Sequence, residues 1–511
     1  GFDRQTAAMT APPTNSQEDF SYRPRKPSDS LLYKTIQENL ESFLQNLHQD
    51  PSAKGLPEYV VGEFREFLRC GILAHGFLRY RCDSCAKELL VGFSCKKRGF
   101  CPGCLARRMS EMAAFLTDYV LPDVNIRQWV VSLPIPLRYW CASNTKLTAR
   151  INKIAVNEIG RYYRGKAKNM GYECKAMHPG LITFVQRFGS SLNLNVHFHT
   201  LALDGVFLDR SERNLSPQFI TIKSPTDSDL QQVIKKIAMK SVKALRKLGY
   251  LEDATEEVLA TGLDPLFVDE PEHALAMAAS VKQRIAFGER KGQKVRTIKR
   301  LIHSAFGYEE DEVITTGTRC VAVNGFSLHA ATRIKKGRRQ ALEQLIRYTA
   351  RGPFSHKRLS QEADGDLRYT LKTPWHDGTV AIKLSPEELI EKLAALVPIP
   401  RFNLFRYSGI FAPNHKLRSQ IVPSPKVKPA SCVDGELPPT IRYKWHQLLK
   451  RIFDIDINNC PACGGKDTMK FVAVIQDSLV VEKFLGHLGY PARPPPIAPA
   501  RYKKTELMDF A

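Results

Sequence analysis

The chain of 511 residues is 43% hydrophobic, so it can bury several cores, and two to four globular domains are predicted. Its formal net charge of +23 indicates a polyanionic partner, with nucleic acid favoured over a membrane surface. A transmembrane helix is not expected, because no run of about 18 apolar residues occurs. Twelve cysteines are too few for a disulfide scaffold of this size, and their spacing favours metal binding in a reducing cytoplasm.

Residues 1–30 are polar and proline-rich, and we predict a flexible tail there. Apolar residues then recur at helical spacing, first at Leu32, Ile36 and Leu40 and again between Tyr59 and Leu68. These helices and the cysteine-rich stretch behind them are predicted to form a first domain over residues 31–118.

Two Cys-x-x-Cys pairs, 15 residues apart, are the most specific motif of this domain. Each pair makes a tight turn that presents two thiolates, and two such turns complete a closed tetrahedral zinc site. The spacing therefore predicts one structural zinc ion, held by Cys82, Cys85, Cys101 and Cys104.

Other residues near these pairs are open to two interpretations. Cys70, His75 and Cys95 could supply a second metal site, but ordinary buried or loop residues are the favoured interpretation. Basic side chains also surround the cysteines, and a zinc module this basic is typical of phosphate contact. The candidate DNA contacts here are Arg98, Arg107 and Arg108.

The centre of the sequence reads as a hairpin of strands Leu181–Phe188 and Leu194–Leu203. Alternation along the second strand places His197 and His199 on one face and Phe198 on the other. Two imidazoles on one face can bind one metal ion, whereas two half-buried strand histidines are the alternative. With a strand at Arg127–Leu133 before it, this pattern predicts an α+β fold with an antiparallel sheet.

Residues 211–315 are predicted to be a mainly helical insertion with basic faces. A strand pattern returns at Gly325–Ile334, followed by a helix at Arg338–Arg351 and a hairpin at Leu367–Leu384. In that helix the buried stripe is Leu342, Leu345, Ile346 and Thr349, and the flank carries Gln344, Tyr348 and Arg351.

After residue 400 the sequence predicts a basic linker and helix over 401–455 and a small module over 456–511. The last module contains Cys460 and Cys463, which make half a zinc site. The residues considered for its completion are Cys432, His446 and His487.

Taken together, these motifs resemble the HUH-type rolling-circle transposases of bacterial insertion sequences and common-region elements, in which HUH denotes His–hydrophobic–His. The resemblance extends over most of residues 31–475. The stretches that carry it are Cys82–Arg108, Gln128–Pro134, Gln186–Gly205, Gly325–Ala330, Arg347–Arg351, Thr373–Trp375 and Cys460–Gly465.

The resemblance implies an HUH nuclease domain over residues 119–400 that nicks and rejoins single-stranded DNA, including hairpins at transposon ends. Mg²⁺ or Mn²⁺ would bind His197 and His199. Its third ligand would be Gln186, with His329 and then Gln344 as alternatives. The implied compartment is the bacterial cytoplasm, at the nucleoid, and the oligomeric state stays open.

By position, Tyr348 matches the nucleophile that would form a 5′-phosphotyrosine, and Arg351 would hold a phosphate oxygen. Some members carry a second tyrosine four residues on, where this chain has Gly352, so a single-tyrosine type is implied. The further implied DNA contacts are Arg347, Lys357 and Arg358.

Two other functions are compatible with parts of the sequence. A zinc-dependent DNA-binding regulator would account for the charge and the cysteines, but it would leave the histidine pair and Tyr348 without a role. A plasmid replication initiator would use the same chemistry for another purpose.

Overall fold

The computed structural model describes residues 25–48, 53–251, 265–299, 319–423, 443–453 and 455–501. Most of the predicted tail and Cys432 therefore lie outside the described residues. The helices are α1 Leu31–Leu47, α2 Glu58–Arg69, α3 Pro102–Tyr119, α4 Ile135–Ser143, α5 Thr145–Lys168, α6 Asp227–Lys247, α7 Pro265–Asp269, α8 Pro271–Val281, α9 Arg339–Thr349, α10 Pro386–Leu396, α11 Arg418–Ile421, α12 Trp445–Phe453 and α13 Ser478–His487.

The strands are β1 Phe77–Cys82, β2 Glu88–Gly92, β3 Ile126–Ser132, β4 Met177–His178, β5 Gly180–Phe188, β6 Leu194–Leu203, β7 Gly205–Leu208, β8 Gln218–Thr221, β9 Arg296–Lys299, β10 Cys320–Val323, β11 Phe326–His329, β12 Arg333–Ile334, β13 Leu359–Gln361, β14 Leu367–Thr370, β15 Thr379–Leu384, β16 Phe405–Gly409 and β17 Met469–Ile475. The predicted hairpins β5–β6 and β14–β15 and the predicted helix α9 are present with nearly the expected bounds.

The main sheet has the order β10-β11-β3-β6-β5-β16, with β12 also paired to β3. Its neighbouring strands are antiparallel, as the sequence predicts for an α+β fold. The histidine strand β6 lies in the middle, between β3 and β5.

The two faces of this sheet bury different helices. Phe198 is fully buried on the face covered by α4, α5 and α8, and α6 covers the β10–β11 edge. On the opposite face Ile182, Phe184 and Leu201 form a second cluster with Leu342 and Ile346. Because Leu342 and Ile346 are the apolar stripe of α9, this cluster docks α9 against the sheet, with α3 packed beside it.

Segments expected outside the nuclease domain contribute to it. Helix α6 lies in the predicted insertion 211–315, yet it packs against α5, β10 and β11, because its stripe of Leu230, Ile234 and Ile237 is fully buried. Strand β16 lies in the predicted linker 401–455, but it pairs with β5 from Phe405↔Phe184 to Gly409↔Gly180. The predicted boundary at residue 400 therefore cuts through the main sheet.

The two ends of the described chain form one module. Strand β17 pairs with β1 from Phe77↔Ile475 to Cys82↔Met469, and β1 pairs in turn with β2. Helix α13 covers this small sheet, with Val481 and Leu485 packed on Phe77. The prediction of a separate module over 456–511 is therefore wrong, because its strand takes its backbone partners from the N-terminal domain.

Candidate active site and metal centres

The histidine pair lies at one end of the main sheet. In register, His197 faces Ser132 on β3 and Gln186 on β5, while His199 faces Val130 and Phe184. The two rings lie on the same face with their centroids 4.9 Å apart, as strand alternation predicts.

Both imidazoles are neutral at neutral pH. Burial lowers the pKa of His197 to about 4. Burial, followed by the nearby charges of His197 and Arg351, holds the pKa of His199 well below its usual range. Nδ1 of His197 lies 2.8 Å from the carbonyl oxygen of Asn195 and can only donate to it. Nε2 therefore keeps its lone pair, which is the form a metal ion requires.

Gln128 orients the second imidazole, a role that the sequence did not reveal. Nε2 of Gln128 lies 2.9 Å from Nδ1 of His199, and Gln128 is only 4% exposed. As placed, the amide nitrogen of Gln128 donates to Nδ1, so the ring proton of His199 is on Nε2. Turning the amide by 180° would bring its oxygen to Nδ1–H and give Nε2 the lone pair that a metal ion requires. The sequence signal for this role was a glutamine on the same face of the buried strand β3 as Ile126 and Val130.

The three candidates for a third ligand occupy different places. Gln186 is directly opposite His197 on β5, and its Nε2 donates to the carbonyl oxygen of Thr349 at 2.6 Å. His329 lies two strands from His199, with Val130 between them. Gln344 is exposed on α9. The register therefore favours Gln186, whose amide oxygen is an appropriate ligand for Mg²⁺.

Tyr348 lies near the end of α9 and is 40% exposed. Its ring centroid is 6.4 Å from that of His199. Two cations stand over the ring: the guanidinium carbon of Arg351 at 4.8 Å and Nζ of Lys372 at 4.4 Å from the centroid. Sequence analysis did not identify Lys372, because it is 24 residues away on the β14–β15 turn and no local pattern connects it with α9.

At Gly352, where a two-tyrosine member of the family would carry its second tyrosine, packing leaves no space for a side chain. An added Cβ at Gly352 would lie 2.4 Å from Cδ1 and 3.0 Å from Cβ of Leu105, on α3. A side chain cannot enter there unless Leu105 moves, which supports the single-tyrosine reading.

The cysteines form two clusters, whereas sequence analysis predicted one principal site. The first cluster is Cys70, Cys95, Cys101 and Cys104, with neighbouring sulfur atoms 3.3–3.6 Å apart. Cys101 is the residue before α3, and Cys104 lies in its first turn. Hydrogen bonds from Cys101, Cys104 and Cys95 lower the pKa of Cys70, whereas those from Cys104, Cys70 and Cys95 raise the pKa of Cys101.

The second cluster is Cys82, Cys85, Cys460 and Cys463. Its sulfurs are 3.8 Å apart in the pair Cys82–Cys463 and 3.6 Å apart in the pair Cys85–Cys460. The hydrogen bond with Thr468 lowers the pKa of Cys82 to about 6. Four cysteines with sulfurs this close suit a closed tetrahedral zinc site.

The predicted grouping of Cys82 and Cys85 with Cys101 and Cys104 is thus wrong. Cys82 and Cys85 lie at the tip of the β1–β2 hairpin, whereas Cys95 follows its base. A strand of six residues spans about 20 Å, so the two pairs cannot share one ion. Cys70 and Cys95, which the sequence favoured as ordinary residues, complete the first cluster.

The predicted DNA contacts fall into two groups. Arg107 and Arg108 are exposed on α3, and the backbone N–H of Arg98 donates to Glu63 at 3.1 Å. Arg358 lines the cavity beside Tyr348. Arg347 is on α9 with Tyr348, and Lys357 is exposed just before Arg358. None of the described helices is both long and apolar enough to cross a bilayer.

Two family profiles match the chain. The transposase zinc-binding domain Zn_Tnp_IS91 matches residues 35–133, which contain the whole first cysteine cluster and half of the second. The profile Y2_Tnp, described as "Putative transposase", matches residues 180–419, which contain His197, His199 and Tyr348. No curated protein and no solved structure matches the chain.

The main antiparallel sheet and the N-terminal part of the zinc-binding module lie inside these profiles, and together they define a transposase, a class of protein whose partner is DNA. The chain belongs to the IS91-type transposase family, and its cysteines provide two four-cysteine zinc centres.

Proposed function

We propose that this transposase is an HUH-type nuclease that nicks and rejoins single-stranded DNA at transposon ends, with Tyr348 as the nucleophile. The observation that carries the proposal is the position of Tyr348. Its ring is 6.4 Å from that of His199, and Arg351 and Lys372 stand over it. A tyrosine, a pair of neutral histidines and two cations converge at one accessible place on the sheet.

In the nicking step the phenol oxygen of Tyr348 attacks the scissile phosphorus. The bond from phosphorus to the 3′ oxygen breaks, a 5′-phosphotyrosine forms and the 3′ oxygen leaves as a hydroxyl group. Joining is the reverse attack by a 3′-hydroxyl, so the energy of one phosphodiester is kept and ATP is not needed. Arg351 and Lys372 supply positive charge that stabilises the charge developing on the phosphate in the transition state.

The divalent ion would be held by His197 and His199, with Gln186 as the third ligand. Bound there, Mg²⁺ or Mn²⁺ would polarise the phosphate. The chain contributes the orientation of the ligands: Asn195 fixes the tautomer of His197, Gln128 contacts His199, and Gln186 ties the end of α9 to β5.

The competing tyrosines have other surroundings. Tyr369 is fully buried, and its hydroxyl accepts from the backbone N–H of Ser355 at 3.3 Å. Tyr407 lies on the edge strand β16, against Phe405 and Arg418. Neither has the combination of exposure and two nearby cations seen at Tyr348.

The test is a denaturing gel of protein incubated with Mn²⁺ and labelled single-stranded DNA from the transposon end. We expect a covalent adduct with the native chain, none with Tyr348→Phe, and an unchanged adduct with the matched variant Tyr407→Phe. Tyr348→Phe should keep its zinc and its DNA affinity. An adduct that persists in Tyr348→Phe, or that peptide mapping places on another tyrosine, would overturn the assignment.

A further inference from the structure

A cavity of about 390 Å³ opens beside Tyr348. Its walls come from four places: the end of α9 with Arg351, Arg358 just before β13, Ser190 in the β5–β6 turn, and the β14–β15 turn from Lys372 to His376. A volume of this size is within the range of small-molecule sites. Because Tyr348 is part of the wall, whatever occupies the cavity lies next to the phenol.

The charge of the cavity is positive. Arg351, Arg358 and Lys372 line it, and no carboxylate is among the described residues that do so. Arg358 is held in place, because Nε donates to the carbonyl oxygen of Thr370 at 2.5 Å and Nη2 donates to that of Ser190. Two separate walls therefore hold one guanidinium at a fixed place, which suits an anionic ligand such as a phosphate.

One wall is aromatic. Trp375 is half-buried, with part of its side chain packed against the main core. Its backbone is pinned at both groups: the N–H donates to the oxygen of Thr379 at 2.9 Å, and its carbonyl accepts from Gly378 at 3.0 Å. An indole held in this way is a platform for a planar ring.

We propose that this cavity binds one nucleotide of the single strand, next to the scissile phosphate, with its base on Trp375 and its phosphate near Lys372 and Arg358. This inference rests on the proposed function. A base can enter the cavity only when it is unpaired, so the site itself would select single strands over duplex. Any base can stack on an aromatic side chain. The site would therefore hold the strand without recognising its sequence.

The test separates base contacts from phosphate contacts. It uses fluorescence anisotropy in a Tyr348→Phe background, so that binding is measured without cleavage. One labelled probe is a 12-residue oligothymidylate, and the other is a 12-residue strand of abasic sugar phosphates. We expect Trp375→Ala to weaken the first probe about tenfold and leave the second unchanged, whereas Lys372→Ala should weaken both. Trp375→Phe should restore most of the affinity for the oligothymidylate. The control is Tyr490→Ala, which removes an exposed aromatic side chain just after α13 and should change the affinity for neither probe.

Equal weakening of both probes by Trp375→Ala, or no weakening of either, would overturn the proposal. So would free thymidine monophosphate binding as tightly as the oligonucleotide, because the site would then serve a mononucleotide. If Trp375→Ala fails to fold, photocross-linking of 5-iodouracil DNA to the native chain decides the matter, since the cross-link must map to Trp375. If both probes bind as expected but the native chain forms no covalent adduct with DNA, the cavity assignment stands and the proposed nuclease activity is refuted.

Discussion

At the scale of single residues, the neutrality of the histidine pair controls its response to pH. A metal ion competes with protons for the imidazole nitrogens. Because burial lowers the pKa of His197 to about 4 and holds that of His199 well below its usual range, protons should not compete between pH 6 and 8.

We therefore expect Mn²⁺ affinity, measured by electron paramagnetic resonance on Tyr348→Phe bound to single-stranded DNA, to be flat from about pH 8 to 6 and to fall as the pH approaches about 4. The sign follows from the lowered pKa, since the metal-competent neutral form is lost only as the pH drops through the folded-state value. His197→Ala should remove binding at every pH. A midpoint near 6.5, the ordinary histidine value, would show that the pair is not desolvated.

Gly352 offers a second test at this scale. Because Leu105 occupies the space beside Gly352, Gly352→Tyr should overpack the contact between α3 and the residues after α9 and lower the free energy of unfolding by about 1–3 kcal/mol. The added tyrosine should form no DNA adduct. Urea unfolding and peptide mapping give the two readouts. Combining the substitution with Leu105→Ala should recover part of the stability, and full stability in the single variant would contradict the packing argument.

At the scale of elements, the tyrosine helix α9 is held from three sides. Its apolar stripe meets the sheet, Gln186 binds its last turn, and Arg451 of α12 binds its second turn. Arg451 bonds to Glu343 on α9 at 2.7 Å and to Asp118 on α3 at 2.5 and 3.0 Å. One guanidinium therefore links the helix that carries Tyr348 to the helix that begins at the first zinc centre.

Arg451→Ala should loosen this link. For a partly exposed ion-pair network we expect about 1 kcal/mol, which corresponds to about a fivefold fall in the rate of adduct formation. Zinc content and DNA affinity should be unchanged. The control is Arg493→Ala, because Arg493 pairs only on the surface with Glu482 at 3.5 Å and is 87% exposed. Equal rates for the Arg451 variant and the native chain would show that α12 does not position α9.

At the scale of the whole molecule, the second zinc centre joins the two ends of the described chain. Cys82 and Cys85 come from the N-terminal hairpin, and Cys460 and Cys463 come from a loop 375 or more residues later. The same contact pairs β1 with β17 and covers Phe77 with α13. Zinc binding and this long-range pairing should therefore support each other.

Elemental analysis of purified protein should find two zinc ions per chain. Cys463→Ser should leave about one, retain the first centre and make β17 and α13 susceptible to proteolysis. Cys101→Ser should instead disrupt the start of α3. Cys320→Ser is the matched control, because Cys320 belongs to neither cluster. One zinc ion in the native chain, or two in Cys463→Ser, would contradict the two-centre arrangement.

Local periodicity was enough to predict much of this protein. The alternation of β6, the apolar stripe of α9 and the two hairpins depend on neighbouring residues alone, and they placed His197, His199 and Tyr348 on the correct elements before any packing was known. The resemblance drawn from these motifs and the cysteine pairs also led to the family. Each of these features can be recognised from a side-chain period of two residues in a strand or 3.6 residues in a helix, or from the spacing of two cysteines.

Only the tertiary structure decided which distant pieces meet. A Cys-x-x-Cys turn can complete a tetrahedral site with any other Cys-x-x-Cys turn, so spacing along the chain favoured the nearest pair. In the structure the β1–β2 hairpin instead places Cys82 and Cys85 beside Cys460 and Cys463. In the same way, Lys372 reaches Tyr348 and Gln128 reaches His199 because separate elements pack side by side. The choice of partner in these contacts depends on burial and strand register across the whole fold, and a local pattern contains neither.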